Sequence, residues 1–440
     1  MKMELNNLKE ILQKNGVVGA GGAGFPTYAK LSGGIDTVIL NCAECEPLLK
    51  LHRQLLEEYT SEILTALDEI LFATGAQRGI IAVKAHYRSA IIAVEAEIAE
   101  HPRLSLCKLS SVYPAGDELI LIKEVTGRLV PPGKLPASVN VIVSNTETVY
   151  NVYNALRGKA VTDKFVTVAG EVASPVTLCV PIGTKLSELV KRAGGLTQEN
   201  VEYINGGPMM GKIVSPADVV TKTTNALLVL PSDNVAVMDK KRNAKISLRR
   251  AMAVCCQCRS CTELCSRYNL GYGVEPHMVM RVLSNGGRGD ISKLAESLFC
   301  SGCGLCEAYS CPQGLSPKSL IAELKAKARE TGFKAADPKI YERKDSKLHS
   351  VSLDRLRSRL GLNKYDVPAP IDGVVSVKSV KIPLLQHIGA PSIPTVKEGD
   401  KVKKGDIIAA SPEGTLGVYI HASIDGKIES VSQKYIKIVR

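Results

Sequence analysis

Tryptophan is absent from this chain of 440 residues, and phenylalanine occurs only five times. Aliphatic side chains must therefore fill most of the interior, because the bulkiest apolar rings are nearly missing. The chain also lacks any apolar run that approaches the roughly 18 residues of a membrane-spanning helix. Its first residues, MKMELNNLKEILQKNG, include acidic side chains and no apolar segment, so we expect neither a signal peptide nor insertion into a membrane.

Motifs for binding nucleic acid are missing as well, although the net charge is +12. The lysines and arginines are spread along the chain, so we predict no nucleic-acid partner. An apolar content of 45% is ordinary for a globular protein. The length indicates about three domains.

Cysteine is concentrated in one part of the chain, where nine of the thirteen lie between residues 255 and 311. They form two runs, C-x2-C-x2-C-x3-C and C-x2-C-x2-C-x4-C-P. Such runs are typical of proteins with two iron–sulfur clusters, in which the fourth cysteine of each run binds the other cluster. We therefore predict one [4Fe-4S] cluster on Cys255, Cys258, Cys261 and Cys311. The second is predicted on Cys265, Cys300, Cys303 and Cys306.

Two structural zinc sites are the alternative, because zinc also binds C-x2-C pairs. This chain has two triplets of cysteines, each followed by a fourth cysteine, and this pattern fits iron–sulfur clusters better than the two pairs of a zinc site. Cys256 is not needed as a ligand and could compete with the neighbouring Cys255 for the cluster. A basic run at residues 240–250 either stabilises an anionic cluster or is a solvated helix face. Cysteines that serve as metal ligands in a chain that is not secreted indicate a reducing cytoplasm.

The N-terminal third alternates helices and strands, which predicts a parallel sheet with helices on both faces. Helices are expected at 4–15, 48–73 and 89–100, and strands at 37–40, 80–85, 104–108 and 139–143. The segments NCAECEP (41–47), YPAGDE (113–118) and SNTET (144–148) follow strands or begin helices. Ligands of open α/β sheets bind at such places. Cys42 and Cys45 form a C-x2-C pair without a second pair, so we interpret them as ordinary loop thiols.

The segment GAGGAGFPTYAK (19–30) contains a formal G-x-G-x-x-G. A helix precedes it where a Rossmann site requires a strand, so the pattern does not predict a Rossmann fold. Its glycines leave backbone N–H groups open to an anion or a flat ring, and Lys30 is close enough to contact a phosphate. A flexible turn is the alternative.

Together these four segments resemble the FMN- and NADH-binding fold of the complex I flavoprotein subunit and of Rnf-type C subunits. The resemblance implies FMN-phosphate contacts from Gly19, Gly21, Gly22 and Lys30. It implies contacts with the flavin and its ribityl chain from Asn41, Glu44, Tyr113, Gly116, Asp117, Ser144, Asn145 and Thr146. It implies contacts with the nicotinamide nucleotide from Phe25, Glu46 and Glu118. No catalytic acid or base is predicted.

Two further regions resemble modules of the same families. Residues 164–214, with paired strands, a short helix and the segment NGGPMMG, resemble an SLBB module, which either binds a ligand such as a corrinoid or only packs between domains. From Val367 onward, short alternating segments around tight turns resemble a barrel-sandwich hybrid domain. His387 and His421 in this domain are either axial ligands of cobalt or structural, and a lone histidine is more often structural.

The predicted fold class is therefore multidomain α/β. Residues 1–160 form an α/β FMN- and NADH-binding domain, and 161–235 an SLBB β-grasp-like module. Residues 240–330 form an α-helical ferredoxin-like domain with two [4Fe-4S] clusters. A linker (331–366) leads to an all-β barrel-sandwich hybrid domain (367–440).

The domain order separates the related families, because Rnf-type C subunits carry the barrel-sandwich domain at the N-terminus and the complex I protein lacks it. The order here resembles that of the propanediol-utilisation cobalamin reductases of bacterial microcompartments. The resemblance implies electron transfer from NADH through FMN and two [4Fe-4S] clusters to cob(III)alamin and cob(II)alamin, which gives cob(I)alamin for adenosylation.

The same resemblance implies a place in a cytoplasmic microcompartment. Its expected partners there are cobalamin, an ATP:cob(I)alamin adenosyltransferase and shell proteins, and the oligomeric state is left open. The alternative is an electron-transfer protein, like the Rnf-type C subunits, that serves a membrane complex or a partner reductase.

Overall fold

The structure, a computed structural model, describes residues 3–335, 339–342 and 349–440. The prediction of a linker at 331–366 lies partly outside these residues. Among the described helices, none combines the length and the apolar character that crossing a membrane requires.

The N-terminal domain is a four-stranded parallel sheet with the order β3-β2-β1-β5. Its strands are β1 (Thr37–Cys42), β2 (Arg78–Lys84), β3 (Leu104–Leu109), the outlying β4 (Val112–Tyr113) and β5 (Val141–Asn145). Its helices are α1 (Leu5–Lys14), α2 (Thr27–Lys30), α3 (Leu51–Glu58), α4 (Thr60–Thr74), α5 (Arg88–Glu97), α6 (Glu118–Thr126) and α7 (Thr146–Ala155).

Helices cover both faces of this sheet, as the alternation of elements predicted. Successive residues of β1 belong to different hydrophobic clusters, because side chains alternate across a strand. Val38 packs in the cluster that contains residues of α1, α4 and α7, whereas Ile39 packs with Leu121 and Ile122 of α6. We call this unit the flavin domain, after the flavoproteins that its segments resemble.

One predicted helix, 48–73, is wrong, because the structure has two helices that meet at Tyr59. Tyr59 adopts φ −123° and ψ 40°, which ends α3. Its ring lies 4.4 Å from that of Tyr150 and 6.1 Å from that of Phe165. The apolar periodicity continues through the break, so the sequence pattern did not reveal it. The strand predicted at 139–143 also begins later, because a 3-10 turn at Pro136–Val139 precedes β5.

The middle domain is a mixed sheet with the order β12-β7-β6-β10-β8-β9. Its elements are β6 (Asp163–Gly170), β7 (Val176–Pro181), α8 (Leu186–Arg192), β8 (Val201–Asn205), β9 (Lys212–Val214) and β10 (Ala226–Pro231). Helix α8 packs on one face through Leu186, Leu189 and Val190. The edge strand β12 (Ile371–Val374) pairs with β7 in parallel, so the first strand after the predicted linker belongs to this sheet.

The cysteine-rich domain is helical, as predicted. It contains α9 (Val235–Lys240), α10 (Ala244–Val254), α11 (Ser260–Glu263), α12 (Ser266–Asn269), α13 (Pro276–Ser284), α14 (Ser292–Glu296), α15 (Leu305–Ala308) and α16 (Pro317–Glu330). Among the described residues, one of its cores holds only four buried apolar side chains, Ala251, Met280, Leu315 and Leu320. Such short helices around so small a core are typical of domains that a bound metal group stabilises.

The second part of the predicted linker is an ordered part of the fold. Strand β11 (Val351–Ser352) pairs with β4, and α17 (Leu353–Arg359) follows it. Leu356, Leu360 and Leu362 are buried in the same cluster as Tyr113. The many charges around these leucines gave the stretch the composition of a linker and hid its apolar face.

The C-terminal domain consists of two small antiparallel sheets, as expected for a barrel-sandwich hybrid. The sheet β13-β19-β18-β15 contains Ser379–Pro383, Tyr435–Val439, Gly426–Val431 and Lys401–Val402. The sheet β14-β16-β17 contains Ile393–Pro394, Ile407–Ala410 and Ile420–His421. The apolar core of this domain is continuous with that around α1. The amide of Gln13 also donates to the carbonyl of Gly417, at 3.2 Å.

A buried ion pair joins the flavin domain to the middle domain. Lys164 of β6 donates to a carboxylate oxygen of Glu147 at 2.5 Å, and each side chain is only 1% exposed. Lys164 also donates to the side-chain oxygen of Asn225, at 2.8 Å. Burial lowers the pKa of Lys164, and the carboxylate of Glu147 opposes this effect. The two charges therefore depend on each other.

We expect Lys164→Met to destabilise the protein by about 3–5 kcal/mol, because it leaves the carboxylate of Glu147 buried without its cation. Thermal unfolding followed by circular dichroism measures the effect. The double variant Lys164→Met/Glu147→Gln is the control and should recover much of the loss, since no charge stays buried. Equal unfolding temperatures for the single and double variants would contradict this account.

Candidate functional site

The glycine-rich loop lies at the carboxyl edge of the parallel sheet, where the predicted polar residues also lie. Asn41 of β1 is in register with Asn145 of β5 at this edge. A Cβ atom on Gly21 would lie 2.6 Å from the amide nitrogen of Asn225 and 3.3 Å from that of Asn145. Any larger residue at position 21 would therefore displace these amides. We call this region the sheet edge.

Two loops approach each other closely at the sheet edge. A Cβ atom on Gly116 would lie 2.3 Å from the carbonyl oxygen of Ala43, which no side chain allows. The amide of Asn41 donates to the carbonyl of Gly116, at 3.0 Å. The segments 41–47 and 113–118 are thus held together by a bond from a side-chain amide to a backbone carbonyl, at a close approach that the glycine in the second segment permits.

Two buried ionisable side chains at the sheet edge have groups that form no hydrogen bond within the described residues. Glu44 follows β1, is 6% exposed, and neither carboxylate oxygen has a hydrogen bond within the described residues. Lys84 ends β2, is fully buried, and its Nζ is also without a hydrogen bond there. Burial lowers the pKa of Lys84 to about 8, although Cys45 and Glu44 nearby act in the opposite direction. Unsatisfied groups of this kind are rare and costly in a folded protein.

These observations fit a flat, polar ring such as the isoalloxazine of FMN. Its edge carries both N–H and C=O groups, which a carboxylate and an ammonium group can satisfy. Because positions 21 and 116 are glycines, no side chain projects from either loop at these close approaches. Sequence reasoning included Glu44 but missed Lys84. The available signal was a lysine at the end of the apolar strand GIIAVK.

Other residues predicted for the flavin phosphate, the ring and the nucleotide lie around the same edge. The amide of Ala20, between Gly19 and Gly21, donates to the hydroxyl of Thr148 at 2.9 Å. Lys30 donates to the carbonyl of Val143 at 3.2 Å and lies 3.5 Å from Glu118. The side chain of Asn145 accepts a hydrogen bond from the amide of Thr148 at 2.8 Å and so begins α7. Ser144 and Thr146 are buried, whereas Gly22 and Phe25 are accessible to solvent. Their contacts with a cofactor stay predictions.

Three of the residues predicted to contact the flavin or the nucleotide form hydrogen bonds with other domains. Glu46 accepts from the backbone amides of Met209 and Met210, at 2.8 and 2.7 Å. Asp117 accepts two hydrogen bonds from Arg267, both at 2.8 Å. The hydroxyl of Tyr113 donates to the carbonyl of Cys303 at 2.6 Å. These side chains therefore connect the flavin domain to the middle domain and to the cysteine-rich domain.

Four of the predicted cluster ligands line one cavity. They are Cys255, Cys258, Cys261 and Cys311, and we call them the outer set. Gln257 and Arg259 adopt positive φ angles of 55° and 65°, which curve the backbone around this cavity. The amide of Leu315 donates to the Cys311 sulfur at 3.4 Å, and the Gln257 side chain donates to the Cys255 sulfur at 3.3 Å.

The remaining four predicted ligands also lie together. They are Cys265, Cys300, Cys303 and Cys306, and we call them the inner set. Burial raises the pKa of Cys265, and the neighbouring thiols of Cys303 and Cys300 raise it further. Burial and the same neighbours raise the pKa of Cys306. The amide of Gly302 donates to the Cys300 sulfur at 3.3 Å. A bound metal group would deprotonate these thiols despite their burial.

The two sets differ in their surroundings. The inner set adjoins the flavin domain, through the bond between Tyr113 and Cys303 and through Arg267, two residues after Cys265. In the outer set, Cys258 is exposed, as is the surplus Cys256 beside it. The inner set is thus enclosed between domains, whereas the outer set reaches the surface.

The arrangement of the thiols bears on the zinc alternative. Within the part of the chain that the structure describes, no three histidine, cysteine or acidic side chains converge on a point where one metal ion would be held. A zinc ion needs its four ligands around a single centre. A [4Fe-4S] cluster takes one thiolate at each iron, so its ligands stand farther apart. Two sets of four cysteines, with the members of each set close together, are what two [4Fe-4S] clusters require.

Two thiols and two imidazoles that the sequence singled out lie outside the two sets. Burial raises the pKa of Cys42 and of Cys45 to about 12 in each case, so both are unreactive thiols, although Cys42 ends strand β1 and does not lie in a loop. Nδ1 of His387 lies 3.1 Å from the carbonyl of Ile388, and the amide of Val418 donates to its Nε2 at 3.4 Å. His421 is buried beneath the surface, and burial lowers its pKa to about 3. The contacts of His387 fit the structural alternative, whereas Nδ1 of His421 is buried without a hydrogen bond within the described residues.

Part of the basic run before the cysteines forms hydrogen bonds to backbone carbonyls, and part of it is exposed. Arg242 donates to the carbonyl of Gly314 at 2.9 Å, beside the outer set, and Lys240 donates to the carbonyl of Gly211 at 2.7 Å. In contrast, Lys245, Arg249 and Arg250 on α10 are exposed to solvent.

We expect Lys84→Met to raise the unfolding temperature of the protein without FMN, because it removes a buried, unpaired charge. The same variant should bind FMN at least about ten-fold more weakly, since a donor to the ring is lost. Differential scanning fluorimetry and quenching of flavin fluorescence measure the two effects. Lys401→Met, on the exposed surface, is the control and should change neither quantity.

The pH dependence of this stabilisation follows from the lowered pKa of Lys84, about 8 in the folded chain. Its ordinary value is about 10.4, so between these values the unfolded chain binds more protons and the folded state gains stability as pH rises. The advantage of Lys84→Met should therefore be largest below about pH 8 and shrink toward pH 10. An advantage that grew with pH would refute the assignment to Lys84.

Four family models match the chain, in the order of its domains. The Nuo51 FMN-binding domain matches residues 12–154, and the SLBB domain matches 165–212. A 4Fe-4S dicluster domain matches 254–316, and the RnfC barrel sandwich hybrid domain matches 363–439. The observed fold therefore contains each of the four predicted kinds of domain.

Curated relatives match most or all of the chain. It is 39% identical over 443 residues to cobalamin reductase PduS of Salmonella typhimurium, which covers 100% of this chain and 98% of that protein. It is 39% identical over 440 residues to cobalamin reductase PduS of Citrobacter freundii, covering 99% and 97%. It is 32% identical over 270 residues to the C subunit of the Na⁺-translocating ferredoxin:NAD⁺ oxidoreductase complex of Acetobacterium woodii, covering 60% and 58%.

A solved structure shares the fold of much of the chain. The crystal structure of an NAD⁺-reducing [NiFe]-hydrogenase in the H₂-reduced state superposes with a TM-score of 0.51. The sequence identity is 21%, and the match covers 79% of this chain and 69% of that chain.

Proposed function

The chain belongs to the family of the cobalamin reductases PduS, and from this we propose that it is an NADH-dependent cobalamin reductase. In this proposal electrons from NADH pass through FMN and two [4Fe-4S] clusters to cob(III)alamin and cob(II)alamin, and the product is cob(I)alamin for adenosylation. The observation that carries the proposal is the direct contact between the flavin domain and the inner set of cysteines.

That contact has two parts, and both are largely buried. The hydroxyl of Tyr113 donates to the backbone of Cys303, and Asp117 forms a two-point ion pair with Arg267. Such bidentate pairs fix geometry as well as distance. They support a fixed, short separation between the sheet edge and the inner set, as a relay of electrons requires.

In the proposed mechanism the residues of the sheet edge hold a flavin, and the cysteines hold clusters. When bound, FMN would accept two electrons together and release them one at a time, which nicotinamide does not do. Glu44 and Lys84 would satisfy the polar edge of the ring. The positive charge of Arg267 and the amides that donate to Cys300 and Cys311 would stabilise added negative charge at the thiolates.

We extend the proposal to the place where the protein works. Membership of this family supports a role in propanediol utilisation within a bacterial microcompartment of the cytoplasm, with shell proteins and an ATP:cob(I)alamin adenosyltransferase nearby. Direct transfer of the product to the adenosyltransferase would protect a strongly reducing species from side reactions. Co-purification of the adenosyltransferase with intact microcompartments that contain this chain would test the idea.

A second candidate function is that of an electron-transfer protein of a membrane complex or of a partner reductase. Its support is the identity of 32% to a C subunit of an ion-translocating complex, over 60% of this chain. The two functions differ in what the isolated protein does. Only the first predicts reduction of cobalamin by NADH without a second protein.

We expect Cys261→Ala to abolish NADH-driven reduction of cobalamin while NADH-driven reduction of ferricyanide continues, because the flavin domain keeps its site. The iron content should fall by about half, since one of two clusters loses a ligand. An anaerobic optical titration with NADH, followed by hydroxocobalamin, reports flavin bleaching, cluster reduction and cobalt valence together.

Cys107→Ala is the matched control, because Cys107 lies on β3, outside both sets, and the variant should behave like the original chain. Unchanged cobalamin reduction in Cys261→Ala would contradict the relay. Failure of the original chain to reduce cobalamin, with normal reduction of ferricyanide, would favour the second function.

A further inference from the structure

A short segment of the middle domain lies along the glycine-rich loop of the flavin domain. It consists of residues 221–225, which directly precede β10, and we call it the TKTTN segment. A Cβ atom on Gly24 would lie 2.8 Å from the methyl carbon of Thr223, and one on Gly21 would lie 2.6 Å from the amide nitrogen of Asn225. The segment belongs to none of the motifs from which the flavin site was predicted, yet it adjoins that site.

Contacts at both ends hold the TKTTN segment in place. Lys222 is buried, and its Nζ donates to the carbonyl of Gly16 at 2.7 Å, just before the glycine-rich loop. The backbone amide of Lys222 donates to the side-chain oxygen of Gln386 in the C-terminal domain, at 3.0 Å. At the other end, the amide of Thr167 on β6 donates to the carbonyl of Asn225 at 3.1 Å. The position of Asn225 beside the loop is therefore set by the fold of three domains.

The chemistry of its partner orients the side-chain amide of Asn225. Nζ of Lys164 lies 2.8 Å from Oδ1 of Asn225. An ammonium group can only donate, so the amide oxygen must face Lys164 and the NH₂ group must face the other way, toward Gly21. This NH₂ group has no acceptor within the described residues. The buried pair of Lys164 and Glu147 thus leaves an unused donor at the glycine-rich loop.

A second side-chain amide is oriented in the same way. Oδ1 of Asn145 accepts from the amide of Thr148, so its NH₂ group is free to face the loop. That nitrogen would lie 3.3 Å from a Cβ atom on Gly21. The backbone amides of Gly21 and Gly22 also form no hydrogen bond within the part of the chain that the structure describes. Two side-chain donors and two backbone donors therefore lie together without acceptors of their own.

A group of donors suits the part of a ligand that accepts hydrogen bonds. In FMN, the edge of the ring carries both N–H and C=O groups, and the ribityl hydroxyls both donate and accept, whereas the phosphate oxygens accept. The ten-residue helix α7 begins at the same place, and the N-terminus of a helix favours an anion. Lys30 lies 3.5 Å from Glu118, so its charge is shared with a carboxylate. A phosphate here would gain from further donors.

We propose that Asn225 of the middle domain binds the phosphate of FMN through its NH₂ group, beside Asn145 and the backbone amides of the glycine-rich loop. A second domain then completes the flavin site, and Asn225 contributes to a preference for FMN over riboflavin. Lys164 is a positioning residue, because it fixes the orientation of the Asn225 amide. The proposal rests on the proposed function, which requires a flavin at the sheet edge.

The experiment compares two flavins that differ only in the phosphate. The full chain, with its clusters and freed of flavin, is titrated anaerobically into FMN or riboflavin, and the quenching of flavin fluorescence gives both dissociation constants. We expect Asn225→Ala to weaken the binding of FMN at least about ten-fold, because a hydrogen bond to a charged group is lost. Asn225→Asp should weaken it further, since its carboxylate still accepts from Lys164 but repels the phosphate. Riboflavin should bind both variants as it binds the original chain.

Asn200→Asp is the matched control, because it makes the same change on the exposed surface of the middle domain. It should bind both flavins like the original chain. A misfolded variant would bind both flavins more weakly, so only a loss confined to FMN supports the phosphate contact.

Equal losses for the two flavins, or unchanged binding of FMN in both Asn225 variants, would overturn the role of Asn225. Reduction of cobalamin by the original chain would then still support the proposed function. If the original chain binds neither flavin, the proposed function fails together with this proposal.

Discussion

The contact between the flavin domain and the inner cysteine set is the constraint on which the rest of the arrangement depends. Asp117 both begins helix α6 and binds Arg267, so one carboxylate fixes a helix of one domain to a loop of another. The side chains of this pair are 15% and 9% exposed, respectively, and a charge buried to this degree is costly without its partner. The relative position of the two domains is therefore a consequence of burial and charge together.

Similar buried charges join the other domains. Lys164 and Glu147 connect the middle domain to α7, and Glu46 reaches from the flavin domain to the loop at Met209. The domains therefore act as one scaffold, in which buried charged side chains of one domain have their partners in another.

The position of the C-terminal domain also has a physical basis. Its core is continuous with that of α1, and Gln13 near the end of this helix bonds to Gly417. The N-terminal helix and the barrel-sandwich domain are therefore neighbours in space, although they lie at opposite ends of the sequence. The Rnf-type C subunits carry this domain before the flavin domain. A domain that packs beside the first helix can be joined to either end of the chain while the packing is retained.

The sequence by itself determined the kinds of domain, their order and the two groups of cysteines, because each depends on local patterns. Alternating apolar segments predict strands, and cysteine spacing predicts cluster ligands whatever surrounds them. Local patterns also misled in two places, at the break at Tyr59 and in the charged stretch that contains β11 and α17. In each case a contact distant in sequence decided the outcome.

Only the tertiary structure decided which side chains face the sheet edge. Glu46, Asp117 and Tyr113 belong to the predicted flavin and nucleotide site by their motifs, yet their partners lie in other domains. Lys84 lies at the edge because β2 is the neighbour of β1 in the sheet, a pairing that no short motif encodes. Motifs record which residues are close along the chain, whereas burial and the pairing of charges depend on which residues are close in space.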